Sequence, residues 1–160
     1  MSLVLLFKLL HVLIAIWFVA GLIGRGVALL HAERVDEVKV TRALVDVAGR
    51  FEQWMVIPGS LAVVVAGLAT MWAMGLPLLG PGAGWLSAAL ALVLAISLLV
   101  PTVVLPRGRR FEQALEAGCA VGVVTPELRA AFRDPVVVAA RTFELVAVAI
   151  VLVLMITKPF

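Results

Sequence analysis

The sequence is poor in charge, in cysteine and in histidine, and each shortage removes a class of function. Charged residues make up 14% of the 160 positions, against roughly 25% in an ordinary soluble domain. None lies between Glu52 and Arg107, a gap long enough for two membrane-crossing helices and a turn. Cys119 is the single cysteine, which excludes an internal disulfide and a metal site built from several cysteines. No phosphate-binding glycine loop, paired metal-ligand motif or nucleophile elbow occurs, so conventional soluble-enzyme chemistry is not expected. The net charge of +3 and the pI near 9.8 would suit nucleic acid. Yet the lysines and arginines gather between apolar runs, where membrane topology accounts for them, and no nucleic-acid partner is expected.

What the chain has is apolar length. It is 64% hydrophobic, with a mean hydropathy of +1.18. Four runs, 3–24, 54–74, 85–105 and 136–157, are each long enough to cross a bilayer. The expected fold is all-α: a polytopic membrane protein, residues 1–160 forming one membrane domain as a four-transmembrane-helix bundle. Lys8 interrupts the first run, and no small-x-small cleavage site precedes a soluble domain, so this run reads as a retained span rather than a signal peptide. Ala20, Gly24 and Ala28 have the small-xxx-small spacing that admits a close neighbour, and Ala62 and Ala66 offer a second small face.

The segments between spans carry the charge. Val35, Val38, Leu44, Val45, Ala48 and Phe51 recur at helical spacing, predicting a short amphipathic helix with an Asp46–Arg50 pair on it. Pro58-Gly59 predicts a kink at the start of the second span. Gly80-Pro81-Gly82-Ala83-Gly84 reads as a tight, uncharged turn. After the third span, Arg107-Gly108-Arg109-Arg110 forms a basic stop, and Phe111 to Ala120 a short helix. Thr125-Pro126 and Asp134-Pro135 then each supply an N-cap followed by proline at the first helical position.

Arg25, Arg34, Lys39, Arg42 and Arg50 crowd the first long loop, and Arg107, Arg109, Arg110, Arg129 and Arg133 the second. The positive-inside rule puts both loops in the cytoplasm and both termini outside, in a multi-pass protein of the cell inner (cytoplasmic) membrane. Trp54 then marks the inner boundary, and Trp72 and Trp85 the outer one. The span–loop–span pattern of the two halves hints at an internal repeat.

Ionisable groups inside a span are costly and so draw attention first. Lys8 and His11 share a helix face in the first span. A structural role would have Lys8 snorkel to the surface and His11 hydrogen-bond a neighbouring helix. A functional role would make His11 an axial ligand to haem iron, with Lys8 against a propionate. Met71 and Met155 are the candidate sulfur ligands, unless they only fill the core. His31 lies about 30 Å further along a continuous helix and is expected to be an exposed loop residue. A second group, Arg141 and Glu144 in the fourth span, together with Glu52, reads as an intramembrane ion-pair network or part of a proton path.

The Lys8-x-x-His11 start with Trp17 and Gly21, Val56-Ile57-Pro58-Gly59, Leu105-Pro106-Arg107-x-Arg109-Arg110 and Lys158-Pro159 resemble the predicted integral membrane proteins grouped as domain of unknown function 2269. More distantly, the first span is similar to the copper-resistance D membrane domain and to the HemJ-type protoporphyrinogen oxidases, four-span haem proteins. The latter resemblance implies haem binding at His11, while that family's third-span lysine has no counterpart in Trp85–Leu105. Three functions follow as expectations. One is b-type haem binding through His11 for electron transfer or haem handling. Another is a non-catalytic bundle, either free-standing (alone or as a homo-oligomer) or an accessory subunit of a larger membrane complex, and the third a proton-coupled solute transporter.

Overall fold

Because almost every side of these helices is apolar, the helix ends are set by caps and prolines rather than by a change in periodicity. The computed structural model describes residues 2–77 and 84–157, so residues 80–83 of the expected Gly80–Gly84 turn and the terminal Lys158-Pro159 lie outside the described residues. The described chain is helical, with no strand among the described residues. Four helical stretches are long and apolar enough to cross a membrane: Leu3–Arg34, Val38–Ala73, Gly84–Val104 and Pro126–Thr157. The chain divides into two units, Met1–Leu76 and Pro77–Phe160.

In the first unit, α1 (Leu3–Arg34) starts at Ser2, whose hydroxyl accepts from the Leu5 N–H. Its 32 residues make a rod of about 48 Å, well beyond the roughly 30 Å of a bilayer's hydrocarbon. The helix thus outruns the expected 3–24 span, since basic and polar residues end an apolar run without ending a helix. A short break at residues 35–37 leads into α2 (Val38–Phe51), one turn of π-helix (Glu52–Val56) and α3 (Ile57–Ala73). The predicted amphipathic helix is therefore continuous with the second span. The π turn precedes Pro58, which has no N–H to give and crowds the preceding carbonyls. The Ile57 N–H bonds instead to the Glu52 carbonyl, five residues back, widening the helix where proline demands it.

The α1–α3 contact shows a face that composition hides. Phe18, Gly21, Leu22, Ala28 and Ala32 are buried on α1, and His11, Phe18, Arg25 and Ala32 follow one another at sevens, a coiled-coil seam. Gly21, not the expected Ala20, carries the close approach. A Cβ on Gly21 would lie 2.6 Å from the Met55 Cβ, whereas Ala20 is exposed.

In the second unit, α4 (Gly84–Leu99), a π turn (Val100–Val104) and α5 (Leu105–Val121) run on continuously, and α6 (Pro126–Phe132) and α7 (Pro135–Thr157) return. Here too a π turn precedes a proline, Pro106. Thr125 Oγ1 accepts from the Leu128 N–H at 3.2 Å and Asp134 Oδ1 from the Val136 N–H at 2.9 Å; both expected caps are formed. Leu115, Leu128 and Phe132 are buried between α5 and α6. There Phe111 and Phe132 meet edge-on with centroids 4.8 Å apart, a geometry worth about 1 kcal/mol beyond its buried area. Trp54 and Trp72 are highly exposed, and Trp85 is buried at the start of α4.

In each unit an arginine–carboxylate pair joins two helical segments. Arg25 on α1 holds Glu52 in the π turn, and Arg107 Nε donates to Asp134 Oδ2 at 3.0 Å. In both, an arginine just past one span holds an acid at the start of the next, and 27 residues separate the partners. The same arginine–acid spacing thus recurs in the two units.

Candidate functional site

The site grows out of the α1–α3 register. With Gly21 against Met55 and Gly59 against Phe18, the antiparallel helices bring His11 to Gly67. A Cβ on Gly67 would stand 3.1 Å from the imidazole Cε1 and 3.4 Å from Nδ1, so the missing side chain is the notch that seats the ring. The ring interacts with the backbone of Val63, one turn before Gly67. Its Nδ1 atom is nonetheless buried without a hydrogen-bond partner. An unpaired polar atom shut away from water typically costs about 1–3 kcal/mol. The residue as a whole is half-buried, so the ring keeps one open side.

Lys8, one turn nearer Ser2, is exposed and forms no hydrogen bond or ion pair among the described residues, which suits a headgroup or an anionic substituent. Met71 lies on α3 one turn beyond Gly67 and is half-buried, level with the Phe7–Lys8 turn of α1. Met155 is on α7, in the other unit. His31 is exposed near the end of α1, where its Nδ1 bonds to the Val27 carbonyl at 2.8 Å. Among the described residues no three His, Cys, Asp or Glu side chains gather to hold a metal.

Glu52, placed by the sequence with Arg141 and Glu144, is engaged by Arg25 within its own unit. Glu144 is buried on α7, and both it and Arg141 take part in polar interactions. Asp46, expected to pair with Arg50, accepts from Arg42 Nε at 3.1 Å. Outside the spans, desolvation raises the Asp134 pKa, but the Val136 N–H, Arg107 and the Val137 N–H outweigh it. They hold the carboxyl below the ordinary aspartate range. Sequence reasoning found His11 but missed Gly67 and Val63. Counting fourteen residues back from Arg25 and forward from Glu52 reaches His11 and Ala66, next to Gly67, so that pair itself was the missing signal.

Four membrane-crossing stretches, joined in pairs by basic helical hairpins, define a polytopic all-α integral membrane protein. The chain belongs to the family described as "Predicted integral membrane protein (DUF2269)", whose model matches residues 5–159. No curated protein and no solved structure matches it.

Proposed function

We propose that the protein binds a b-type haem through His11 and serves electron transfer or haem handling in the membrane. The observation that carries this reading is the His11 imidazole. It interacts with a helix backbone at Val63 and keeps Nδ1 buried without a partner. A metal-ligating histidine has its ring oriented through the nitrogen that does not bind the metal; here Nδ1 is packed against Gly67, so Nε2 is the nitrogen that would meet the iron. The Gly67 notch fixes the ring's placement, and the ring's open side is where the group would be met. Lys8, one turn away and without a partner among the described residues, would neutralise a propionate. Met71, one turn beyond Gly67 on α3, is the thioether that the same unit would offer the group. When bound, the haem iron supplies one-electron redox chemistry whose potential follows its axial ligands and surroundings. The chain's own part is to hold the imidazole in its notch, exclude water with the apolar faces of α1 and α3, and balance the carboxylates. With the basic hairpins in the cytoplasm, His11 lies toward the outer leaflet.

The test is a pyridine haemochrome assay on protein purified in mild detergent from haem-replete cells. One haem b per chain supports the reading. A colourless preparation overturns it and returns the protein to a structural or accessory role in a larger membrane complex.

A further inference from the structure

A second site lies where α2 meets the π turn. A hollow of about 310 Å³ is lined by Val47, Arg50, Phe51, Trp54 and Met55. Four of these are apolar, and the fifth is a guanidinium. Arg50 is exposed and forms no hydrogen bond or ion pair among the described residues. This freedom is built in, because the two carboxylates nearest along the helix are committed elsewhere. Asp46, one turn before it, accepts from Arg42, and Glu52, two residues after it, is held by Arg25. Phe51 is pressed onto α1 at Gly24, where an added Cβ would meet its ring at 2.7 Å, so the floor of the hollow is fixed. Trp54 is 70% exposed at the end of the apolar run, the depth at which indole rings settle at the headgroup level.

An apolar cleft with one uncommitted cation at its polar rim, located at a membrane boundary, has the chemistry of a phospholipid site. We propose that this hollow binds one anionic phospholipid, its phosphate on the Arg50 guanidinium and the upper part of an acyl chain against Val47, Phe51, Trp54 and Met55. Guanidinium suits a phosphodiester because its planar fork can donate two hydrogen bonds to phosphate oxygens.

The experiment is native mass spectrometry of the full chain released from mild detergent micelles containing equal phosphatidylglycerol and phosphatidylcholine. The wild type is expected to retain one phosphatidylglycerol per chain, several-fold over phosphatidylcholine. Arg50→Gln should reduce that retention to the phosphatidylcholine level. Arg34→Gln, which removes another exposed arginine that has no partner among the described residues, should leave it unchanged. Equal retention of the two lipids, wild-type retention in Arg50→Gln, or an equal loss in Arg34→Gln would overturn the proposal. So would displacement of the lipid by inorganic phosphate, which would mark a site for a free anion.

Discussion

Replacing Gly21 by alanine tests the helix register on which the His11 site depends. The added Cβ would stand 2.6 Å from the Met55 Cβ and 3.3 Å from the Val56 Cγ2. Carbon atoms normally meet at about 3.5–4.0 Å. The Met55 Cβ is bonded directly to the backbone, so no side-chain rotation relieves the closest contact, and α1 and the π turn must part by roughly 1 Å. Overpacking of this kind costs about 1–3 kcal/mol, set against a gain of about 1 kcal/mol in helix propensity when glycine becomes alanine. Gly26→Ala, five residues along the same helix, meets nothing within 4 Å and takes the gain alone. The two substitutions should therefore differ by about 1–3 kcal/mol, with Gly26→Ala the more stable. Unfolding in mixed micelles of mild detergent and dodecyl sulfate, followed by far-ultraviolet circular dichroism, reads the difference. Equal midpoints for the two variants would refute the α1–α3 register.

Arg25→Gln leaves Glu52 partly buried without its partner and should cost about 2 kcal/mol, while Arg25→Gln with Glu52→Gln together should recover much of that loss. The same unfolding assay, run as a double-mutant cycle, gives the coupling. Asp134, whose carboxyl is held below its ordinary value, contributes stability that is full above its unfolded-state pKa and is lost as pH falls through the lower, folded one. Melting temperatures followed from neutral pH down to about pH 3 should thus drop on the acid side. Asp134→Asn, which can still cap α7, should lose part of that drop.

Much of this architecture was legible because lipid imposes a simple rule of length. All four spans and the caps at Thr125 and Asp134 follow from apolar runs and from N-cap and proline chemistry. The helix ends were less legible. A polar residue such as Arg25 ends an apolar run, but α1 continues to Arg34, since nothing at Arg25 breaks a helix. Ala20 and Gly21 look alike as small residues, and only the seven-residue seam of His11, Phe18 and Arg25 distinguishes them. Asp46 has arginines four residues away on both sides, at 42 and 50, and local spacing does not choose between them. His11 was found because an ionisable group in a span is conspicuous. Its partner Gly67 contributes only the space it leaves, and that is visible only once the helices are paired.

The haem assignment at His11 is tested most directly by comparing reduced and oxidised absorbance spectra of the wild type and His11→Ala, each with and without added imidazole. The wild type should show a stoichiometric Soret band that is lost in His11→Ala and returns when free imidazole fills the vacated position. A Soret band that survives unchanged in His11→Ala would show that the iron is held elsewhere and would contradict the account.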